Sequence, residues 1–213
     1  MTTSNAGIVG TFNITNELSL VTSNGGVVVN ANLGNDNFLS NPTKLHIRTT
    51  NAYVPLLSRN GLMLTLKHSR VDAKARLYTM RGKGPRSKSE KLNPHFDVDV
   101  KSSNGGLDVA FEQAPSDMTF NFSGTTSNAH AVLQLPLEYE GTFYGATTNS
   151  RAALILEDMH ASDPAGKDRV RVIKRTDNSK SVVKGSVEWA PSDTVPTGRA
   201  MLQTSNGKLQ IMI

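Results

Sequence analysis

The chain contains no cysteine, which removes a disulfide framework and thiolate chemistry at once. No apolar run reaches the about 18 residues that a membrane-crossing helix needs, so no membrane insertion is expected. Aromatic residues make up 6% and hydrophobic residues 37% of the 213 positions. That is little for a compact globule and suits a thin structure whose strands bury one face. No window carries helical periodicity of useful length. Met1 to Leu20 is polar and lacks the basic and apolar regions of a secretory leader. The expectation is an intracellular protein, or a surface or secreted one whose leader has been removed.

Chemistry-bearing motifs are also missing. There is no phosphate-binding loop, dinucleotide fingerprint or nucleophile elbow. The five histidines, His46, His68, His95, His130 and His160, show no metal-ligand spacing. No cofactor and no metal are therefore expected. His95, Asp97 and Asp99 would share one face of a strand, read as a solvated outer face opposite Val98 and Val100. Glu138, Glu140, Glu157 and Asp158 are the candidate acid/base carboxylates, but charged outward positions explain them equally well.

What the chain has in abundance is one turn. Thr22-Ser23-Asn24-Gly25 recurs as Thr49-Thr50-Asn51-Ala52, Ser102-Ser103-Asn104-Gly105, Thr126-Ser127-Asn128-Ala129, Thr147-Thr148-Asn149-Ser150 and Thr204-Ser205-Asn206-Gly207. Thr3-Ser4-Asn5-Ala6 and Thr176-Asp177-Asn178-Ser179 are near copies. Counted from the Asn, positions +3, +5 and +7 are apolar almost every time, as in Leu107, Val109 and Phe111. Positions −6 and −4 are apolar too, as in Leu18 and Leu20, with Phe122/Gly124 and Phe143/Gly145 as weaker copies. Each unit thus reads strand, polar turn, strand, with one face of each strand buried. Placing Arg70 at the Asn position adds a ninth unit, so eight or nine two-strand units are expected along a single domain spanning 1–213.

Asn and Gly at the turn suit positive φ and local backbone bonding, and stacked Asn side chains can bond in a ladder. The expected ladder is Asn5, Asn24, Asn51, Asn104, Asn128, Asn149, Asn178 and Asn206. Two all-β arrangements fit the pattern: a single elongated β-solenoid, or a sandwich of stacked β-hairpins with Asn-Gly turns. Turns ending Asn-Ala and Asn-Ser favour the solenoid. Trp189 falls on the inward parity and is read as core.

The net charge of +5 is uneven. Residues 67–91 hold nine Lys/Arg against Asp72 and Glu90. The tip, about 81–91, is a Gly- and Pro-containing insertion read as a flexible surface loop. Arg81, Lys83, Arg86, Lys88 and Lys91 are its candidate ligand-binding residues, for a polysaccharide or another polyanion. Only Tyr78 lies near enough to stack a base, so no specific nucleic acid is predicted. The chain ends inside an apolar strand, Leu209 to Ile213, which suggests an unpaired edge and end-to-end self-association.

The recurrent Thr-Ser-Asn-Gly turn between alternating strands resembles the adhesin-type β-solenoid repeat proteins: the auto-transporter adhesin head-like domains and their uncharacterised fungal counterparts. The likeness covers essentially the whole chain. It implies a β-solenoid, a surface or cell-envelope role, and no catalytic residues. The chain departs from the pattern at Arg70 and in the basic insertion, and without a secretion leader it lacks a sign of the surface role. The expectation is a non-enzymatic structural or adhesin-like binding protein. The alternatives are a carbohydrate-acting enzyme on a β-helix scaffold and a polyanion-binding module using the basic loop.

Overall fold

The computed structural model describes residues 1–36, 41–50, 56–57, 63–64, 70–80, 93–157, 161–192 and 196–213. Among them every regular element is a strand, and none is a helix long and apolar enough to cross a membrane. In chain order β1 is Thr2–Thr3, β2 Ile8–Ile14, β3 Glu17–Thr22, β4 Val27–Asp36 and β5 Thr43–Thr49. The short β6 (Leu56–Leu57) and β7 (Met63–Leu64) pair only with each other. Then come β8 (Arg70–Met80), β9 (His95–Ser102), β10 (Gly106–Gln113), β11 (Thr119–Thr126) and β12 (Ala131–Gln134). The last six are β13 (Gly141–Thr147), β14 (Ala152–Ile155), β15 (Val170–Asn178), β16 (Val182–Ala190), β17 (Gly198–Thr204) and β18 (Leu209–Met212).

The strands form two open sheets. A nine-stranded sheet has the order β1-β3-β5-β9-β11-β17-β13-β16-β15, and a seven-stranded sheet the order β14-β18-β12-β10-β8-β4-β2. Every neighbour is parallel except along β13-β16-β15. One apolar cluster from Ile8 to Ile213 lies between the sheets. Phe111 of one sheet meets Phe120 of the other edge to face at 4.7 Å.

The chain crosses from one sheet to the other at the turns of Asn5, Asn24, Asn104, Asn128, Asn149 and Asn206. Flanking strands such as β3 and β4 are therefore in different sheets, and these turns are not hairpins. Asn178 is the exception. It ends β15 opposite Val183 of the antiparallel β16, so that unit is a true hairpin seated on β13.

Parallel pairing puts equivalent repeat positions side by side. In the nine-stranded sheet the row Leu18, Leu45, Val98, Phe122, Ala200, Phe143 is continuous. In the other sheet the row is Ile8, Val27, Val71, Leu107, Ala131, Leu209, Ala152. This register corrects the reading of Arg70. Val71, not Ala73, is level with Leu107, so Arg70 lies two residues beyond the Asn position, opposite Gly106. β5 and β8 are one layer interrupted by an insertion, not two units. The layers are β1/β2, β3/β4, β5/β8, β9/β10, β11/β12, β17/β18 and β13/β14, one for each strand of the seven-stranded sheet.

The chain therefore does not stack in sequence order. Its C-terminal pair, β17/β18, lies between β11/β12 and β13/β14. This corrects the expectation for Leu209 to Ile213: β18 is paired on both sides, and Ile213 is 3% exposed. Of the sheet edges, that of β1 and β2 lies at the N-terminal end of the stack.

Side-chain volumes fit this order. Ala200 sits between Phe122 and Phe143, while Leu202 sits between Gly124 and Gly145. The glycines that made two units look weak are thus the space that Leu202 fills. A Cβ on Gly124 would stand 2.7 Å from Leu202 Cδ1. Gly124→Ala should destabilise the fold by about 1–3 kcal/mol, the usual cost of overpacking. In urea denaturation its effect should shrink when Leu202→Ala is present, because the clash partner is gone.

Candidate functional site

The turns stack as closely as the strands. At position −2 of six repeats the Ser/Thr side chain is buried: Thr22, Thr49, Ser102, Thr126, Thr147 and Thr204. The threonine hydroxyls donate to the +1 carbonyl of the adjacent layer. Thr22 reaches Ala6 O at 3.0 Å, Thr49 Gly25 O at 3.0 Å, Thr126 Gly105 O at 2.7 Å, Thr204 Ala129 O at 2.8 Å and Thr147 Gly207 O at 3.0 Å. In the outermost layer Thr3 bonds Ala6 O of its own turn at 2.8 Å. The sequence reading overlooked these hydroxyls. The parity that placed −6 and −4 inward also places −2 inward, so a Ser/Thr held there had to find a partner inside.

Outside this row runs a row of amides. Asn24 Nδ2 donates to Asn5 Oδ1 at 2.8 Å. Asn128 donates to Asn104, Asn206 to Asn128 and Asn149 to Asn206, each at 2.7 Å. The backbone follows the same path: Asn206 N donates to Ser127 O at 2.9 Å and Asn149 N to Ser205 O at 2.8 Å. Asn178, in its hairpin, has no place in this row. Asn51 lies outside the described residues, as do Arg81, Lys83, Arg86, Lys88, Lys91 and Asp158.

The turn residues are not there for positive φ. Among the described residues only Asp117, Asp168, Gly141 and Gly166 have it. Gly25 and Gly207 are required by proximity instead. A Cβ would stand 2.1 Å from Ala6 O at the first and 1.8 Å from Ala129 O at the second.

The outer face of the nine-stranded sheet carries a second polar assembly. Asp97 Oδ1 lies 3.1 Å from His95 Nε2 and accepts from Asn121 Nδ2 at 3.0 Å. Asp99 accepts from Lys101 Nζ at 2.9 Å and stands 4.0 Å from His46. Val98 and Val100 are buried beneath. An open concavity of about 450 Å³ crosses β5, β9, β11 and β17 here, bordered by His46, Asp97, Asp99, Asn121, Arg199 and Met201. Among the described residues no group of three or more His, Asp or Glu is placed to hold a metal ion.

Of the acid/base candidates, Glu140 and Glu157 are held by separate structural partners. Glu157 accepts from Gln134 at 3.2 Å. Glu138 is half-buried, and that desolvation raises its pKa. Glu140 accepts from Arg169 Nη1 at 3.0 Å, and Arg169 also holds Asp163 at 2.9 Å. Asp163 further accepts from the amides of Ala165 and Lys167, both at 3.0 Å. These bonds, led by Arg169, hold the Asp163 carboxyl well below the usual carboxylate range. Trp189 is fully buried beside this cluster, its Nε1 donating to Leu137 O at 3.3 Å, in line with the reading of it as core.

The chain belongs to the family described as a domain of unknown function, DUF7330, whose profile matches residues 24–213. No curated protein and no solved structure matches it.

Two outcomes are expected. Thr126→Val keeps the shape but leaves the Gly105 carbonyl unpaired, and should cost about 1–3 kcal/mol in chemical denaturation. A depressed folded-state pKa means that Asp163 stabilises the fold above the ordinary carboxyl pKa, and that this is lost as pH falls toward the folded value. The thermal midpoint of Asp163→Asn should therefore lie below that of the parent at neutral pH, with the gap closing on acidification.

Proposed function

We propose that the layers form a β-solenoid and that the protein is a non-enzymatic structural or adhesin-like binder of an extended polysaccharide. The observation that carries this reading is the pair of polar rows laid across the strands: the exposed Asn row at the turns and the groove bordered by Asp97, Asn121 and Arg199. Asn128 and Asn206 each use one N–H and one carbonyl site on their neighbours. A donor and an acceptor site then remain per layer, at a spacing of about 4.8 Å. A polymer with regularly spaced hydroxyls meets such a row many times, and weak contacts add by avidity.

The groove supplies what a sugar ring needs. Asp97 is pre-oriented by Asn121 and His95, Asp99 offers acceptors, Arg199 offers donors and Met201 an apolar patch. Pre-oriented groups lose little entropy on binding. The β1/β2 edge is where a second copy would add end to end.

Pull-down on a panel of soluble and insoluble polysaccharides, at low and high salt, tests the reading. Binding should resist salt and survive deletion of residues 82–90. It should weaken about tenfold, or about 1.4 kcal/mol, in Asn121→Ala with Arg199→Ala. Binding lost with salt or with the deletion would move the site to the basic insertion, and retention on no polysaccharide would leave a purely structural protein.

A further inference from the structure

The layer order carries a consequence for assembly. β12 leads directly into β13 through residues 135–140, yet β13 does not lie beside β11. One layer of space separates them, and residues 198–213 fill it. That segment pairs with β11 from Asn121↔Arg199 to Thr126↔Thr204, and with β13 from Gly141↔Gly198 to Thr147↔Thr204. β18 pairs with β12 and β14 in the same way. Ala200, Leu202, Leu209, Ile211 and Ile213 are all buried. Asn206 bonds Asn128 on one side and Asn149 on the other.

Taken without this segment, the remaining strands leave a slot with two facing parallel edges in each sheet. Nothing in the slot reads which molecule supplies the occupant. It reads register, the Leu202 side chain between Gly124 and Gly145, and a Thr-Ser-Asn-Gly turn. The tether is residues 191–197, which join β16 to β17. Fully extended, such a stretch reaches about 24 Å, whereas β16 and β17 are two strand spacings apart, about 10 Å. That reach exceeds the separation, so chain length alone does not force the segment into its own slot.

We propose that residues 198–213 exchange between two copies of this chain, giving a reciprocal dimer in which each slot is filled by the partner's C-terminal strand pair. The twofold exchange is closed, since each copy gives one segment and receives one. In dilute solution the tethered segment wins through its high effective concentration. Exchange requires the slot to open, so it occurs during folding rather than between folded monomers.

The absence of cysteine gives a clean test. Ser123 and Met201 are directly paired neighbours on the outer face, at a strand spacing within the Cα window of a disulfide. Full-length Ser123→Cys and Met201→Cys proteins, each unable to cross-link within itself, are unfolded together and refolded at low and high concentration under oxidising conditions. The double variant in one chain, folded in dilute solution, should give a cross-linked monomer and so establishes the pairing. The expected result is a disulfide heterodimer that rises with refolding concentration and is absent when the folded single variants are mixed. Monomers at every concentration, or dimers in light scattering without the 123–201 cross-link, would overturn the proposal; the latter would mark association through the β1/β2 edge.

Discussion

The structure depends on one constraint: the turns must stack in register, because their buried hydroxyls find acceptors only on the neighbouring layer. A threonine at −2 points into the interior, where its hydroxyl has no water. Its partner is the +1 carbonyl of the next layer. Two buried polar groups are satisfied together, and leaving either alone would cost the desolvation of that group. The bond forms only if the two turns are level. Level turns then place the Asn amides within 2.7–2.8 Å of each other and align every apolar row behind them. A slip of one residue would turn each strand's apolar face outward.

The same constraint explains how a late segment enters the middle of the stack. β17/β18 carries Thr204, Asn206 and Gly207, a complete turn with both bonding positions. It can join any pair of level turns if side-chain volume agrees. Volume selects the slot: Phe122 and Phe143 leave room for Ala200, and Gly124 and Gly145 for Leu202. The antiparallel β15/β16 hairpin then lies on the outer side of β13, so the nine-stranded sheet ends on a strand with solvated residues such as Lys174 and Arg175. Exposed charge on an edge strand discourages further pairing.

Much of this was legible in the sequence, and for a physical reason. Alternation is local, so the inward faces of Leu45, Val98, Leu107 and Leu209 follow from parity alone. The turn is local too, and six of its copies mark crossings between sheets. Layer order is not local. Asn149 follows Asn128 by 21 residues and looks like its neighbour, but Asn206 stands between them. Only the small-large complementarity of Phe-x-Gly and Ala-x-Leu hinted at it. Arg70 misled because parity is preserved by a shift of two, so Ala73 and Val71 both qualify as inward. The groove at Asp97 was visible as a polar strand face, but its other border, Arg199, lies about a hundred residues away and reaches it only through the inserted layer.

Double-mutant cycles along the Asn row read this layer order. Alanine is placed singly and pairwise at Asn128, Asn206 and Asn149, and unfolding free energies are measured. A coupling of about 0.5–1.5 kcal/mol is expected for Asn128 with Asn206 and for Asn206 with Asn149, the net value of one hydrogen bond, and none for Asn128 with Asn149. Coupling between Asn128 and Asn149, with none to Asn206, would mean instead that the layers stack in sequence order and that β17/β18 does not lie between them.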